Sequence, residues 1–532
     1  MEVNVIYLTL IVAILGIIYR RLTKNHDYFR EKPIPSLAAW PVFGSTADLI
    51  MKKCTYIDFV KRVYDQFASV KVFGLFDTNS PVFVIRDPEL IKQIAVKDFD
   101  HFVDRRPIFG TSSSDNPNVL FNKAVAMLNG QKWRDMRATL SPAFTGSKMR
   151  AMFGLMTDYS DQMVKILRTE VDSGKGYREY EMKDLFSRIA TDIIATCAFG
   201  IEVESVKDTG NEFFVMGKAI LNFFRTSVML RMLAYSWFPE LMQNLGIDVI
   251  DRKQIRYFTN IIKETVKNRE THGIVRPDMI HLLMLAKKGD LKYQQEKVKT
   301  VEGFATVEES NVGQVSVTKT LTDAEFTAQC MIFFFAGFEA ISTAMVFMAY
   351  QLAMSPEVQQ KLYEEILATN EQLKGKVLSY DTLQAMKYMD MVVSETLRLI
   401  ANPMTDRLCV KDYHLDDGQG LRFTIDKGTC VWFPIYGIHH DPKYYPNPEQ
   451  FDPERFNDTN RVNINMSTYL PFGIGPRNCI GSRFALMEMK AIMYQLLLNF
   501  SIERTEQTQV PLKVGKGLLP SISAHLKLRL RA

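Results

Sequence analysis

The sequence predicts a mainly α-helical protein with a small β region. Long segments with apolar residues at helical spacing dominate the chain, and one of them contains no proline between Thr322 and Pro356. Segments rich in β-branched and aromatic residues occur mainly at residues 70–85 and 421–433 and predict strands. Of the 532 residues, 23% are charged and 47% are hydrophobic, which is typical of a globular protein with a large core and excludes disorder for most of the chain.

Charge and cysteine content restrict the function classes. The formal net charge is +5 and no long run of Lys and Arg occurs, so nucleic-acid binding is not indicated, whereas a membrane surface or an acidic partner fits the modest basic excess. The six cysteines show no C-x-x-C pair and no zinc spacing, which favours a reducing compartment. They are Cys54, Cys197, Cys330, Cys409, Cys430 and Cys479.

The chain begins with a predicted membrane anchor. Residues 3–19 are almost wholly apolar, at the lower limit of the roughly 17 to 25 residues that cross a bilayer. Arg20, Arg21 and Lys24 follow directly. A cleaved signal peptide is the alternative, but it would carry positive charge before its apolar stretch, where this chain has Glu2. By the positive-inside rule, the residues after the anchor face the cytosol.

The remaining chain is predicted to form one large domain. Prolines stiffen residues 25–45 into an extended hinge, which connects the anchor at residues 1–24 to a soluble domain at residues 46–532. A length prior of about 150 residues per domain suggests further division, but no break in composition supports it. Residues 287–319, rich in Lys, Glu and Val, are predicted to be an exposed loop without a chemical role.

The proline-free segment predicts one long helix. Thr322 with Glu325 three residues later is a capping-box start, and the helix continues for about 33 residues, or roughly 50 Å. Glu339 near its middle is costly in lipid, so a buried core helix is a better account than a second membrane span. A helix of this length is expected to cross the whole molecule.

The most specific motif is FGIGPRNCIG, residues 472–481, which surrounds Cys479. A thiolate bound to iron needs backbone N–H groups close to the sulfur, and Gly473, Gly475 and Gly481 permit that approach because they lack a Cβ and tolerate positive φ. The motif therefore predicts a thiolate pocket for an iron porphyrin. A buried structural cysteine in a glycine-rich turn is the alternative, but it does not explain the full spacing.

Two further residues of this motif suit a porphyrin. Arg477 is placed to neutralise a propionate through a charge-assisted contact, and Phe472 would pack near the sulfur and limit solvent there. The motif resembles the haem-binding signature of the cytochrome P-450 superfamily of haem-thiolate monooxygenases, in which the cysteine at the position of Cys479 is the axial ligand. The resemblance extends from the anchor to the end of the chain and implies the cytochrome P-450 fold, with the long central helix over haem b.

The resemblance implies further haem contacts. WRDMR, residues 133–137, matches the family's W-x-x-x-R helix, whose Trp and Arg lie on one face and both reach propionates. An ordinary aromatic–cation contact is the alternative for this pair. The implied cofactor-binding residues are Arg105 or Arg106, Trp133, Arg137, Ala336, Arg407, Phe472, Arg477, Cys479 and Gly481, with Cys479 as the metal ligand.

A second set of residues matches a structural clamp of the same family. Glu395 and Arg398 lie at i, i+3 on one predicted helical face, and FDPERF, residues 451–456, supplies Arg455. Alone, an E-x-x-R pair is usually a solvated surface pair worth under about 1 kcal/mol. Two guanidinium groups that share one carboxylate would fix the cysteine loop against the helix, so loss of this clamp should cost haem incorporation rather than change selectivity.

The central helix carries the catalytic candidates Glu339, Ala340 and Thr343. AGFEAIS resembles the family's oxygen-binding stretch, in which an acid is followed by a threonine that helps to deliver protons. Glu339 matches the acid, but Ala340 occupies the threonine position, and Thr343 lies on a neighbouring face one turn later. We therefore expect an ordered water or a substrate hydroxyl to complete the relay, with looser coupling. Ala336, Ala340 and Ala344 form a small-residue stripe that suits a flat macrocycle or close helix packing.

The resemblance implies a membrane-bound monooxygenase of the endoplasmic reticulum that uses haem b, O2 and electrons from NADPH through a reductase, with cytochrome b5 as a second candidate donor. No G-x-G-x-x-G unit or flavin site occurs, so electrons must arrive from outside. HHDPKYYPNPEQFDPERF, residues 439–456, resembles the insect microsomal branch that metabolises lipophilic xenobiotics such as plant toxins and insecticides. Lys132, Arg134 and Arg483 are candidate contacts for an acidic flavoprotein, or are simply solvated.

Substrate choice is poorly encoded in the sequence. Residues 211–242 are rich in Phe, Met and Leu, which suits an apolar access region, a membrane-dipping surface or ordinary core packing. Position alone suggests a lining for an apolar pocket, which would select a neutral, lipophilic substrate. These residues are Phe109, Phe121, Phe335, Met404 and Leu518.

Two other functions compete with this interpretation. A haem-thiolate isomerase or dehydratase acting on peroxides would account for Ala340, although Glu339 and the likeness to xenobiotic-oxidising sequences argue against it. A non-catalytic, membrane-anchored protein that binds apolar ligands would need neither Cys479 nor the propionate arginines. Reductase-dependent NADPH consumption separates the first rival, and a carbon monoxide difference spectrum of the reduced protein separates the second.

Overall fold

The structure is a computed structural model that describes residues 2–106, 120–173, 176–221, 226–245, 247, 252–291, 303–307, 309–314, 320–400, 402–516 and 521–531. Helices make up most of these residues and the strands are short, which confirms the mainly α prediction with a small β region. Two of the predicted pocket residues, Phe109 and Leu518, lie outside the described residues.

Most of the α-helices contribute residues to the main core, which also contains the central helix, and their lengths vary from one turn to seven. In chain order they are α1 (Glu2–Thr23), α2 (Ala47–Ile50), α3 (Tyr56–Gln66), α4 (Pro88–Lys92), α5 (Gly130–Leu140), α6 (Gly146–Asp172), α7 (Met182–Ile194), α8 (Glu212–Leu221), α9 (Thr226–Trp237), α10 (Pro239–Asn244), α11 (Arg252–His272), α12 (Met279–Lys288), α13 (Asn311–Gln314), α14 (Asp323–Ala336), α15 (Ser342–Met354), α16 (Pro356–Leu373), α17 (Tyr380–Gln384), α18 (Lys387–Leu399), α19 (Ile435–His439) and α20 (Ser482–Asn499).

The strands form small sheets beside the helical core. They are β1 (Val72–Asp77), β2 (Ser80–Ile85), β3 (Tyr177–Glu181), β4 (Thr405–Leu408), β5 (Tyr413–Asp416), β6 (Arg422–Ile425), β7 (Cys430–Phe433), β8 (Phe500–Arg504), β9 (Val514–Gly515), β10 (Ser521–Ile522) and β11 (His525–Leu530). One sheet has the order β1-β2-β7-β4, in which β2 and β7 are parallel, and another has the order β3-β11-β8. The first sheet contains the predicted strands at residues 70–85 and, as β7, the end of the region at residues 421–433, whereas β6 of that region pairs with β5 in a separate sheet. The strands β3, β8 and β11 were not predicted.

The long central helix consists of α14 and α15, joined without a break by a π-helical turn at Gly337–Ile341. Thr322 caps it as predicted: its hydroxyl accepts from the Glu325 N–H, and the Glu325 carboxylate accepts from the Thr322 N–H. Pro356 begins α16 directly after the helix ends. The predicted helix is therefore confirmed, but the π turn was not predicted, because hydrophobic periodicity does not resolve one inserted residue.

Two helices in the described part of the chain are long and apolar enough to cross a membrane. One covers Ile6–Thr23 in α1, with a mean hydropathy of 1.7 and no burial against the rest of the protein. The other is the central helix, Asp323–Met354, with a mean hydropathy of 1.9 and 61% of its window buried. The unburied α1 is therefore the candidate anchor, and the largely buried central helix is a core helix, as Glu339 near its middle predicts.

The predicted hinge is docked onto the first sheet. Phe29 and Ile34 are buried, and Ser36 forms a parallel bridge with Gly74 in β1. The Leu37 N–H donates to the Gly74 carbonyl at 2.9 Å. The expectation of a spacer is thus corrected in part, because the extended conformation that proline favours also lets this segment pair with a sheet edge.

Candidate functional site

The cysteine loop directly precedes α20. The Cys479 N–H donates to the Phe472 carbonyl at 2.8 Å, which closes the loop. Gly473 and Gly475 have φ values of 78° and 73°, and a Cβ on Gly475 would lie 2.0 Å from the Ala95 carbonyl oxygen. Gly475 is therefore required both by its conformation and by the close approach of a neighbouring segment.

The Cys479 thiol is reachable but surrounded by protein. Its side chain is exposed, whereas Arg477, two residues earlier, is buried. Burial raises the pKa of the Cys479 thiol, and the Gly481 N–H together with the charges of Arg137 and Arg105 acts in the opposite direction. A thiolate at this position is consequently favoured by a further positive partner, such as a metal ion.

Gly481 differs from the sequence expectation. Its φ is −95°, which any residue adopts, and a Cβ would have Phe144 as its nearest neighbour at 3.8 Å, an ordinary contact. Neither a positive φ nor a close approach requires glycine here. What Gly481 contributes is its N–H, which stabilises the charged form of Cys479. Phe472, also predicted near the sulfur, is half-buried in the same loop.

Three arginines from separate segments converge beside the cysteine loop. The Arg407 side chain donates to the Ile474 carbonyl at 3.0 Å, and the Arg105 side chain donates to the Arg477 carbonyl at 3.3 Å. Arg477 donates to the Val103 carbonyl at 2.8 Å. We call Arg105, Arg407 and Arg477 the arginine trio. The structure therefore brings together three residues that the sequence assigned separately to propionates.

The arginine trio carries positive charge without a partner anion. Among the described residues no carboxylate forms an ion pair with any of the three, and one buried N–H nitrogen of each has no hydrogen-bond acceptor: Arg105 Nε, Arg407 Nε and Arg477 Nη1. Burial and the charge of Arg105 lower the pKa of Arg407 to about 9, and burial with both neighbours lowers the pKa of Arg477 well below its usual value. The cluster thus favours a bound anion.

Trp133 and Arg106 occupy distinct environments near the trio. The Arg477 guanidinium lies 4.0 Å from the centre of the buried Trp133 ring, a cation–π geometry. Arg106 pairs with Asp77, and its N–H donates to Asp406 at 3.0 Å. Of the two alternatives that the sequence left open, Arg105 joins the trio and Arg106 does not.

Arg137 departs from the expectation that it reaches a propionate together with Trp133. Its buried guanidinium binds the Glu309 carboxylate, with Nη2 to Oε2 at 2.8 Å, and donates to the Asn478 carbonyl at 2.8 Å and to the Asn478 side chain at 2.7 Å. The physical reason is a carboxylate that arrives from a segment distant in sequence. That segment was predicted to be an exposed loop, yet Ala305 is buried in the main core.

The predicted clamp is assembled from the fully buried Glu395 and Arg398 and the partly buried Arg455. Arg398 donates to both oxygens of the Glu395 carboxylate, at 2.7 and 2.8 Å, and the Arg455 Nε lies 3.4 Å from the same carboxylate. Arg398 also donates to the carbonyls of His439 and Pro448 at 2.7 Å each. Every one of these buried charges has partners within the chain, as a stable buried ion cluster requires.

His439 links the clamp to the cysteine loop, a role that the sequence reasoning missed. Its Nδ1–H donates to the Arg398 carbonyl at 3.0 Å, and its Nε2 accepts from the Leu470 N–H at 2.8 Å. Because the Leu470 N–H can only donate, this histidine is neutral with the proton on Nδ1. Burial lowers the pKa of His439 to about 3. The HHDP sequence marked the segment but not this bridge.

The central helix presents a small-residue surface at its π turn. Ala336 and Ala340 are exposed in the middle of an otherwise buried helix, whereas Ala344 is buried. The predicted three-residue stripe is therefore shortened to two, because the wider π turn at Gly337–Ile341 changes the register of the residues that follow.

The polar residues of this helix turn face a lysine from α7. The Lys183 Nζ donates to Glu339 at 2.9 Å and to Thr343 at 2.8 Å, and Thr343 lies 3.4 Å from the Glu339 carboxylate. The structure thus brings Glu339 and Thr343 together. The Thr343 hydroxyl contacts Lys183 and Glu339, and the completion of the relay by an ordered water or a substrate hydroxyl stays a prediction.

The suggested pocket residues separate into two groups. The rings of Phe121 and Phe335 are in contact, with centroids 4.9 Å apart, and both belong to the main core. Met404 instead packs against the cluster of the first sheet that includes Trp432. Position in the sequence therefore identified one contacting aromatic pair, and Met404 lies against a different surface.

The predicted access region has both buried and exposed apolar residues. Phe213 and Phe214 of α8 are buried, whereas Phe238 and Leu241 near α10 are exposed. Core packing and an exposed apolar surface, which the sequence left as alternatives, are therefore both present in this segment. Of the three surface cations, Lys132 is exposed and Arg134 is paired with Asp100 at 2.7 Å, while Arg483 is half-buried.

Comparison with known proteins agrees with this geometry. A family model described as Cytochrome P450 matches residues 34–528. The chain belongs to the cytochrome P450 family. Similar P450 proteins include Cytochrome P450 9e2 of Blattella germanica, 42% identical over 96% of this chain and 93% of that protein, and Probable cytochrome P450 9f2 of Drosophila melanogaster, 41% identical over 96% and 97%. Cytochrome P450 3A16 of Mus musculus is 35% identical over 96% and 94%.

Membership in the P450 family fixes the reaction class. The protein is a monooxygenase, an oxidoreductase that uses haem iron and O2 and acts on a small molecule with electrons from a redox partner. The likeness to insect P450 proteins agrees with the resemblance of residues 439–456 to the insect branch.

Proposed function

We propose that this P450 is anchored in the endoplasmic reticulum membrane and inserts one oxygen atom of O2 into lipophilic xenobiotics, with electrons from NADPH through a membrane-bound reductase. The observation that carries the haem-thiolate part of the proposal is the combination of an accessible Cys479 with the arginine trio. An accessible sulfur beside three cations without an ion-pair partner among the described residues suits a ligand that brings both a metal ion and two carboxylates.

The residues present fit haem b. Unpaired N–H nitrogens on the buried guanidinium groups call for acceptors, and the two propionates of haem would supply them. Ala336 and Ala340 offer a surface without protruding side chains, as a flat macrocycle needs. Haem would be held by Cys479 at the iron, with Arg105, Arg407, Arg477 and Trp133 beside its propionates and Ala336, Phe472 and Gly481 at its faces.

When bound, haem with a thiolate ligand supplies activation of O2 for insertion into a C–H bond. The chain's own residues then hold and shield the reacting groups. The Gly481 N–H stabilises the charge on the sulfur, and the closed loop keeps Cys479 at a fixed place. Phe121 and Phe335 exclude water from one side of the substrate region, and Glu339 with Thr343 holds exchangeable protons on the central helix.

A lipophilic substrate and a membrane location support one another. The unburied apolar helix α1 suits a bilayer anchor, and a substrate dissolved in the bilayer would meet the exposed apolar residues near α10. An acidic electron donor, either the reductase or cytochrome b5, would approach Lys132 and Arg483 on the cysteine side. Arg134 is a weaker candidate contact because Asp100 already neutralises it.

The test is oxygen labelling in reconstituted membranes. With reductase, NADPH and labelled O2, we expect a panel of neutral, apolar xenobiotics to yield products that carry one labelled oxygen atom, and no product when reductase is left out. Product formation from organic peroxides without NADPH and without label would instead support a haem-thiolate isomerase. That rival is favoured by one observation, Ala340 at the position of the proton-delivering threonine.

A further inference from the structure

One lysine binds every side chain in the π turn region that can carry an exchangeable proton. Between Ala336 and Thr343 the only hydroxyl and carboxyl side chains are those of Glu339, Ser342 and Thr343. The Lys183 Nζ donates to all three, at 2.9, 2.9 and 2.8 Å respectively. We call these four residues the lysine clamp.

The lysine clamp is geometrically complete. An ammonium group has three N–H donors, and Lys183 uses all of them on acceptors within one turn of the central helix. Ser342 is fully buried and Thr343 nearly so, while the Lys183 side chain is 18% exposed and Glu339 27% exposed. The clamp therefore lies where the protein interior meets solvent, as an entry point for protons requires.

The helix geometry explains why one lysine reaches three residues. Positions 339, 342 and 343 are i, i+3 and i+4, which lie on one face of a helix, and Glu339 belongs to the π turn at Gly337–Ile341 that directly precedes Ser342. α7 packs against this turn and places Lys183 in its first turn, beside the cap residue Glu181. The shared face of the central helix and the position of α7 therefore bring Lys183 to all three residues.

We propose that Lys183 is a positioning residue for proton supply: it holds the Glu339 carboxylate and the Thr343 hydroxyl in one fixed arrangement beside the π turn, from which ordered water would carry protons to the surface formed by Ala336 and Ala340. This inference rests on the proposed monooxygenase function. It means that Glu339 of the central helix supplies protons only when Lys183 of α7 holds it in place.

The balance of the oxygenation reaction shows which products would change if the lysine clamp were lost. Insertion of one oxygen atom into a substrate R–H uses O2, two electrons from NADPH and two protons, and gives R–OH and one water. Without substrate oxidation, the same O2, two electrons and two protons leave as hydrogen peroxide. A disordered proton supply therefore diverts electrons from product to peroxide, so the peroxide-to-product ratio reports on the clamp.

The charges around Lys183 predict how pH acts on the clamp. Burial lowers the pKa of Lys183, with Lys218 of α8 acting in the same direction, while Glu339 and Glu181 raise it. Lys218 in turn lies 3.5 Å from Asp184. Because a lowered pKa means that the ammonium loses its proton at a lower pH than a free lysine, the clamp should open at alkaline pH.

The experiment compares Lys183→Met with Lys218→Met in the haem-loaded protein with reductase. Methionine keeps the length of the side chain and removes its charge, and Lys218 is a matched control that is exposed and makes no bond to the central helix among the described contacts. We expect the peroxide-to-product ratio to rise about 10-fold in Lys183→Met, the size expected for lost charge-assisted hydrogen bonds. We expect no rise in Lys218→Met, because removal of Lys218 favours the charged form of Lys183.

A third variant and a structural readout complete the test. Lys183→Arg keeps its charge at alkaline pH, so the alkaline rise of the ratio seen in the parent should disappear, while Lys183→Met should show the high ratio at every pH. Hydrogen exchange of the amides at residues 342–345 should be faster in Lys183→Met. This second readout does not depend on turnover.

Two results would overturn the inference. One is a Lys183→Met protein with the parent's peroxide-to-product ratio, pH profile and amide exchange. The other is an equal rise in Lys218→Met, which would indicate a general effect of surface charge. Failure of the proposed function has a different signature: the parent itself would form no reductase-dependent product, while the exchange experiment would still decide whether Lys183 clamps the helix.

Discussion

Two buried arginine clusters in this protein differ in where their negative charge comes from. In the structural clamp of Glu395, Arg398 and Arg455, Arg398 is fully buried and binds both oxygens of Glu395, and its remaining N–H groups donate to backbone carbonyls. In the arginine trio, Arg407 is equally buried but donates only to neutral oxygens, and its Nε has no acceptor. The first cluster is neutralised by a carboxylate of the chain, whereas the second has no ion pair with a carboxylate among the described residues.

This difference in neutralisation predicts that one cluster stabilises the fold and that the other binds haem. Removing one partner of a buried ion pair leaves the other charge buried without a partner, which destabilises the fold. Removing a buried charge that has no partner instead removes an unfavourable buried charge. The clamp should therefore matter for folding with or without haem. The trio should matter mainly for holding haem, because only the bound propionates complete its hydrogen bonds.

The largest effect is expected when the carboxylate of the clamp is removed. Glu395→Ala leaves Arg398 buried without its anion, so we expect the free energy of unfolding to fall by about 3–5 kcal/mol and haem content to fall with it. Denaturant unfolding and the haem-to-protein ratio measure this. The matched control is Glu454→Ala: its partner Lys361 lies 3.4 Å away on the surface, and loss of such a pair costs under about 1 kcal/mol. Equal stability of the two variants would contradict the contrast.

The next effect concerns haem retention. Arg407→Met removes a buried cation that forms no ion pair with a carboxylate among the described residues, so we expect haem to dissociate about 10- to 100-fold faster, from lost charged hydrogen bonds of about 1.5–3 kcal/mol, without loss of secondary structure. Transfer of haem to an acceptor protein measures the rate, and circular dichroism the structure. Arg398→Met is the paired variant and should lose both properties. A normal dissociation rate in Arg407→Met would remove the trio from the haem site.

A buried acidic residue without a hydrogen-bond partner among the described residues can be compared with the unpaired arginines. Glu488 of α20 is fully buried and neither oxygen has a hydrogen-bond partner among the described residues; burial raises its pKa well above the usual value. Unlike a guanidinium, a carboxyl group can become neutral by keeping its proton.

This raised pKa determines how the stability of the folded protein changes with pH. The folded protein keeps a proton on Glu488 that the unfolded chain releases above pH 4.5, so the parent loses stability as pH rises from there. Glu488→Gln cannot release a proton. We expect its unfolding midpoint to match the parent near pH 4 and to exceed it increasingly towards pH 8, with slopes that differ by about one proton. Parallel pH profiles would show that Glu488 is ionised in the folded protein.

The smallest effect is expected at the link between the two clusters. The pKa of His439 is lowered from 6.5 to about 3 by burial, so its contribution to stability is present above pH 6.5 and is lost as pH falls through this range. His439→Asn keeps one donor and one acceptor but does not titrate. Between pH 6.5 and 4 the parent should lose stability more steeply than the variant, by up to about one proton. Thermal unfolding across this range measures the difference, and identical slopes would mean that His439 is not buried neutral.

Local sequence signals predicted much of this architecture. The capping box at Thr322, the absence of proline up to Pro356 and the glycines around Cys479 act over a few residues, so the sequence specifies them directly. The strands at residues 70–85 and 421–433 were found for the same reason. By contrast, β3, β8 and β11 pair across long sequence distances and were not predicted. A local signal was present in β11, whose polar and apolar residues alternate with Leu526 and Leu528 buried, and it was missed.

The parts of the site that were missed depend on contacts between distant segments. Glu309 reaches Arg137 across 172 positions, and Lys183 reaches Glu339 across 156. No spacing rule predicts either pair. The π turn is missed for a different reason, since one inserted residue in a uniformly apolar helix leaves the hydrophobic pattern unchanged. The cluster of Arg105, Arg407 and Arg477 was predicted through family resemblance residue by residue, but its lack of a carboxylate was visible only in three dimensions.

The central claim is that Cys479 binds haem iron through its sulfur while the arginine trio takes the propionates. The carbon monoxide difference spectrum of the reduced protein tests it most directly, with Cys54→Ser, a half-buried cysteine packed beside the first sheet, as the matched control. We predict the absorbance band of a thiolate-ligated carbonyl complex in the parent and in Cys54→Ser, and its loss in Cys479→Ser. An unchanged band in Cys479→Ser would contradict the account.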